Sequence, residues 1–171
     1  MKRLILLRHA KSSWADESLA DIDRPLGTRG ERDAPRMGLR LKARRERPSL
    51  ILSSPAKRAR RTAELIAEVL EYPREFLQHE RALYLADAAG IAAVIGAQAP
   101  QFSCLLVVAH NPGLTDLANR LLPKLSLDNL PTAGVVAADF QIERWDEIAN
   151  AQGALAYFDY PKNPELLVIE D

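Results

Sequence analysis

Short apolar runs alternate with longer segments whose apolar residues recur at helical spacing, the pattern of β–α units wound around a sheet. The runs at 3–7, 50–53 and 104–109 are almost continuous in Leu, Ile and Val, as strands covered on both faces should be. Further strands are expected near 135–140 and 155–158, with a short one near 76–79. Between them, PAKRARRTAELIAEVL (55–70) puts Ala59, Thr62, Ala63, Ile66 and Leu70 on one helical stripe, with Ser54 as N-cap and Pro55 in the first helical position. Asp87 is expected to cap a helix through Gln98, and 113–122 to form another that Pro123 ends. Residues 28–47 are helical in composition with two candidate starts. Thr28 and Glu31 make a capping box, whereas Pro35 is awkward inside a helix begun there and points to Asp33 as the cap. Together these elements predict an α/β fold: three αβα layers, with a mostly parallel, open sheet flanked by helices.

Length and composition narrow the class. A chain of 171 residues is most simply one domain, 1–171, able to bury roughly 70% of its unfolded surface. With 47% hydrophobic and 27% charged residues it reads as an ordinary globular protein. A formal net charge of zero argues against nucleic acid or an acidic membrane as the partner. The charge is uneven, however: residues 1–61 hold 17 Lys or Arg against 7 Asp or Glu, and the remainder 6 against 16. That suits an anion site built from the N-terminal third, although solvated helix faces would give the same bias. The single cysteine, Cys104, excludes an intrachain disulfide and fits a reducing compartment. Only four apolar residues follow the opening MKR before Arg8, too few for a signal peptide. No apolar stretch approaches the ~20 residues of a membrane span, so a cytoplasmic protein is expected.

Three strands are expected to end in the same way. The run at 4–7 passes into Arg8-His9, that at 50–52 into Ser53-Ser54-Pro55 and a helix carrying Arg58, and that at 105–109 into His110-Asn111-Pro112-Gly113. In open α/β sheets ligands bind beyond the carboxyl ends of the strands, where strand order reverses. If these strands are parallel neighbours, two arginines and two histidines converge there, beside two helix N-termini that favour an anion. Of the basic residues on the second helix, Arg58 lies roughly 80° from the centre of the apolar stripe, whereas Lys57, Arg60 and Arg61 lie roughly 120° or more away. Arg58 is therefore the one expected to enter the site.

Leu7-Arg8-His9-Ala10, SSPAKRARRTA (53–63) and Ala109-His110-Asn111-Pro112, in this order at three strand ends, closely resemble the histidine phosphatase superfamily, the phosphoglycerate mutase-like proteins. RHAKSSW (8–14), DRPLGTRGERDAPRMG (23–38) and LPTAGVVAADF (130–140) resemble its small bacterial SixA-like phosphohistidine phosphatases. The resemblance implies a phosphoglycerate mutase-like fold and a single histidine phosphatase domain. It implies His9 as nucleophile, with Arg8, Arg58 and His110 gripping the phosphoryl oxygens. Asn111, in the turn after His110, is either a further phosphate contact through its backbone N–H or a plain turn residue. No metal or cofactor is required, because the arginines take the place of a cation.

One position departs from the family pattern. Many members protonate an alcohol leaving group with a glutamate, and Ala82 stands about where that residue would be. Glu80 and Asp87 are nearby, with Glu80 the candidate acid. An alkoxide needs a proton donor to leave, whereas imidazole, with a conjugate acid near pKa ~6.5, leaves far more readily. The expected activity is thus hydrolysis of phosphohistidine in a phosphorylated protein, by a monomer. The alternatives are a small-molecule phosphomonoesterase or mutase, or a phosphoryl-binding module without turnover. A zinc site from His9, His79 and His110 lacks metal-ligand spacing. The basic run RLKARRERP (40–48) lacks the interleaved aromatics of an RNA-binding segment and reads as a solvated helix face. Trp14 follows the His9 turn, placed either to pack under the site or to meet a partner.

Overall fold

A computed structural model describes residues 1–164; residues 165–171, the end of the expected single domain, lie outside the described residues. The apolar runs become six strands: β1 (Lys2–Arg8), β2 (Leu50–Ser53), β3 (Gln78–His79), β4 (Cys104–Ala109), β5 (Val135–Phe140) and β6 (Ala154–Asp159). Among the described residues four α-helices flank them: α1 (Thr28–Ala43), α2 (Lys57–Val69), α3 (Ala88–Gly96) and α4 (Gly113–Leu121), with short 3-10 turns between elements, Asp21–Asp23 and Arg81–Leu83 among them. The strands form one sheet in the order β3-β2-β4-β1-β5-β6.

Successive side chains of a strand face opposite sides of the sheet. Leu4, Leu6, Leu52, Leu105 and Val107 meet Ile91 and Ile95 of α3 and Leu114, Leu117 and Leu121 of α4 on one side. Ile5, Leu7, Ile51, Leu106 and Val108 meet Met37 and Leu41 of α1 and Ala59, Ala63 and Ile66 of α2 on the other. Both faces are therefore apolar, which is why the runs show no polar alternation. Each fully buried Leu or Ile contributes about 1.5–3 kcal/mol relative to exposure, so charged residues are pushed to the strand ends.

The site is positioned by where the chain reverses. β4 inserts between β1 and β2, parallel to both, and pairs Ala109 with Arg8 and Val108 with Ser53. The three carboxyl ends thereby become neighbours. β5 runs antiparallel to β1, with Val135 opposite Leu7, and β6 runs antiparallel to β5. Two of the five pairings are thus antiparallel. The loop between α4 and β5 climbs back to the carboxyl end of β1 before β5 enters, and so brings residues 130–134 to the site.

Two helix starts differ from expectation. α2 begins at Lys57 with Ala56 at its cap position and no side-chain cap, because Ser54 and Pro55 form a preceding turn and the Ser54 hydroxyl is drawn to His110. α1 begins at Thr28 behind Gly27, with neither Thr28 nor Asp33 as cap, and carries Pro35 inside it. Asp33 is instead buried beside Arg29 and Arg32, at 3.8 and 3.3 Å. Gly30 is required by close approach: a Cβ there would sit 2.2 Å from the Lys11 carbonyl oxygen. The basic run at 40–48 is only partly a solvated face, since Arg40 is buried against Asp159 at 2.7 Å and Arg44 lies over the Tyr157 ring. Cys104 is buried at the start of β4, and burial pushes its thiol up to about 12. Among the described residues no helix is long and apolar enough to cross a membrane.

Candidate active site

Where β1 ends, the backbone N–H of His9 donates to the Ala109 carbonyl (3.3 Å), and the His9 carbonyl accepts from Ala133 (3.1 Å). Ala133 adopts φ 58°, a left-handed conformation uncommon for a residue with a side chain. The His9 ring turns so that Nδ1 lies 2.8 Å from the Ala10 carbonyl oxygen. A carbonyl only accepts, so Nδ1 carries the proton and Nε2 keeps its lone pair. This turn is held from α2: Thr62 Oγ1 accepts from the Ala10 N–H (3.0 Å) and donates to the Arg58 carbonyl (2.7 Å).

His110 closes the other side, its ring centroid 5.3 Å from that of His9. Its Nε2 lies 2.7 Å from Ser54 Oγ, which also accepts from the Ala56 N–H at 3.2 Å. The Ser54 hydroxyl is fully buried and, among the described residues, Nε2 is the one acceptor within its reach, so its proton is directed there and the ring proton sits on Nδ1. His110 Nδ1 is buried and has no partner. Both imidazoles are neutral. Burial takes His9 down to about 3, with His110, Arg58 and Arg8 adding to the effect, and burial followed by the Arg58 charge takes His110 to about 4.

Two guanidiniums converge on this pair. Arg8 is half-buried and donates from Nη1 to the Leu130 carbonyl (3.0 Å), while its buried Nε–H has no partner. Arg58 is 4% exposed, whereas Lys57 and Arg60 face solvent. Buried donors without a partner are uncommon and cost about 1–3 kcal/mol each. Arg8 Nε–H and His110 Nδ1–H are thus donors suited to an incoming anion.

A carboxylate that the sequence did not single out joins them. Arg58 Nη1 donates to the Asp21 carbonyl (2.7 Å) and Nη2 to Asp21 Oδ2 (3.0 Å). Arg24 Nη1 donates to Oδ1 at 3.2 Å, and the Tyr84 hydroxyl donates to Oδ2. These bonds, led by that from Tyr84, hold Asp21 below the usual carboxylate range. Tyr84 also sets its ring edge-on to His110, centroids 5.6 Å apart. Asp21 and Tyr84 lie on short 3-10 turns or at their ends, where no hydrophobic period marks them; an acidic residue inside the basic N-terminal third was the available signal.

The other candidates are placed less directly. The Asn111 side chain joins α4 to the loop, donating to Asn129 and the Leu130 carbonyl and accepting from Thr115. Glu80 follows β3, its N–H bonded to the Ser53 carbonyl at 2.8 Å. His79 is exposed and lies near Arg60 and Glu64 rather than the other imidazoles. Among the described residues no group of three or more His, Cys, Asp or Glu is arranged to hold a metal. Trp14 is 67% exposed, with the Arg24 guanidinium 3.2 Å over its ring.

Residues 4–83, which contain the Arg8-His9 turn and Arg58, match the family model of the histidine phosphatase superfamily, branch 1. The chain belongs to the histidine phosphatase superfamily. It is 30% identical over 165 residues to an uncharacterised protein of Mycobacterium tuberculosis, covering 91% of this chain and 100% of that one. It is 36% identical over 132 residues to an uncharacterised chloroplastic protein of Arabidopsis thaliana, covering 70% of this chain but 59% of the longer relative. Among solved structures, the histidine phosphatase fold here resembles the protein histidine phosphatase SixA complexed with tungstate (TM-score 0.79, 21% identity, 93% and 97% of the two chains). It also resembles a protein of Agrobacterium tumefaciens assigned as a phosphohistidine phosphatase SixA (TM-score 0.74, 28% identity, 94% and 99%). A mycobacterial glucosyl-3-phosphoglycerate phosphatase shares the fold as well (TM-score 0.68, 19% identity, 94% and 100%).

Proposed function

We propose that this histidine phosphatase hydrolyses phosphohistidine in proteins through a phosphorylated His9. The observation that carries the reading is the state of the His9 ring: neutral, Nδ1–H held by the Ala10 carbonyl, and Nε2 free beside His110, Arg8 and Arg58. Nε2 attacks phosphorus as the bond to the leaving group breaks, and the leaving group departs with the electron pair. Arg8, Arg58 and His110 Nδ1–H, with the Asn111 backbone N–H, meet the phosphoryl oxygens and offset their charge in a loose transition state. Water then attacks phosphorus from the same open side, the N–P electron pair returns to His9 Nε2, and the water proton goes to the departing phosphate, which leaves the imidazole neutral and free. The resemblance to SixA with bound tungstate, a tetrahedral dianion, supports the pocket's choice of ligand.

A second reading has its own support. Glu80 stands half-buried next to the Ser53–Ser54 turn, and a phosphatase of a small phosphorylated metabolite shares the fold. There Glu80 would protonate an alkoxide. A panel of a phosphohistidine protein, phosphoserine peptides and sugar phosphates separates the two. The first reading expects kcat/KM for phosphohistidine to exceed the others at least a hundredfold, with Glu80→Gln changing it less than threefold. Preference for a sugar phosphate, lost in Glu80→Gln, would replace it with the second.

A further inference from the structure

We propose that Asp21 selects the leaving group: its carboxylate offsets the positive charge of Arg58 and Arg24 at the edge of the site, which favours a cationic, protonated imidazole over phosphate esters carrying a second anion. This rests on the phosphohistidine reading above and sharpens it.

The position follows from a gradient of burial. His9, His110 and Arg58 are 8%, 2% and 4% exposed, whereas the Asp21 side chain is 45% exposed. A phosphoryl group must enter past the exposed residues to meet His9, and in-line displacement points its leaving group back through the same opening. Asp21 is therefore on the leaving-group side. It is also fixed there, by donors from three elements: Arg58 of α2, Arg24 beyond its own turn and Tyr84 before α3. Each η nitrogen of Arg58 gives one hydrogen to Asp21, and its Nε–H is not spent on that carboxylate. Asp21 therefore offsets part of the positive charge of Arg58 and Arg24 without using every donor of the guanidinium.

The chemistry that suits this charge is specific. A phosphoimidazole protonated on its distal nitrogen is an imidazolium; when His9 Nε2 forms its bond to phosphorus, the old N–P electron pair stays with the substrate ring, which leaves as neutral imidazole. No proton needs to be supplied during the step. A carboxylate nearby raises the fraction of substrate that enters in this form, so Asp21 supplies by electrostatics what an acid supplies to an alcohol. The groups facing Asp21 are Arg24, Arg58 and Tyr84, with His110 edge-on to Tyr84 and held neutral, so the carboxylate is the anion that balances two cations there. A glycerate phosphate, by contrast, would bring its own carboxylate to a place where Asp21 already occupies the arginines, and would gain less from them.

The test is a ratio. Wild type and Asp21→Asn are compared on N-phosphoimidazole and 3-phosphoglycerate, so that any loosening of Arg58 cancels. The ratio of kcat/KM for the first over the second is expected to fall at least tenfold, and the alkaline limb of the phosphoimidazole profile to move to lower pH. Asp21→Ser, a second charge-removing variant, should do the same, while Tyr84→Phe, which keeps the charge, should hold the ratio within threefold. An unchanged ratio in either Asp21 variant overturns the proposal while leaving the phosphohistidine reading intact. A wild type inactive on phosphoimidazole and active on 3-phosphoglycerate defeats both.

Discussion

Removing the Ser54 hydroxyl probes the assignment of His110 without touching a group that meets phosphate. Ser54 is fully buried, and its oxygen bonds His110 Nε2 at 2.7 Å and the Ala56 N–H at 3.2 Å. Ser54→Ala leaves both partners without a bond in a buried setting, which costs about 2 kcal/mol of stability. For a domain of this size that lowers Tm by about 4–8 °C. The second effect is on the tautomer. With the hydroxyl gone, nothing fixes the proton on Nδ1, and losing a preference of about 1–1.5 kcal/mol takes the competent population, and so kcat/KM, down about twofold. Because His110 is assigned to the phosphoryl group, the loss should be similar for every phosphate substrate. Steady-state kinetics and nitrogen NMR of labelled histidine read the two effects separately, the latter showing His110 shift from the Nδ1–H toward the Nε2–H form. A variant that melts lower but keeps both kcat/KM and the His110 tautomer unchanged would refute the reasoning.

Arg58→Ala is expected to reduce kcat/KM by about 10²–10³-fold, and Arg58→Lys to restore only part of it, because an ammonium cannot hold Asp21 and phosphate in one fork; kinetics on any turned-over phosphate checks this. Stability should fall with pH below about 6.5. Both histidines stay neutral in the fold, down to about 3 for His9 and about 4 for His110, but protonate near 6.5 when unfolded. The unfolded state therefore binds more protons between those values, and pH 5 costs about 2 kcal/mol per ring. Denaturant titrations at pH 7 and 5 should show a smaller difference in a His9→Ala, His110→Ala double variant; an equal difference would place the acid sensitivity elsewhere.

Much of this arrangement was legible in the chain because the core strands carry two apolar faces. Runs such as CLLVVA cannot be anything that faces water on one side, and their abrupt polar ends mark where the sheet stops. The helical stripe separated Arg58 from its three basic neighbours for the same reason, since a residue beside the buried face has one direction to point. Asp21 and Tyr84 were not legible. They reach the site from turns with no periodicity, and their partners come from 37 and 63 residues away in sequence. The direction of β5 was also hidden, because a strand of apolar residues reads alike in either orientation. Ser54 was misread as a cap because its hydroxyl meets a histidine 56 residues further on.

The covalent step at His9 is the centre of the proposed mechanism. Brief incubation with a radiolabelled phosphodonor, a quench and peptide mapping should find label on His9 Nε2, stable in alkali, lost in acid, and absent along with turnover in His9→Ala. Turnover that persists in His9→Ala, or label recovered on another residue, would contradict it.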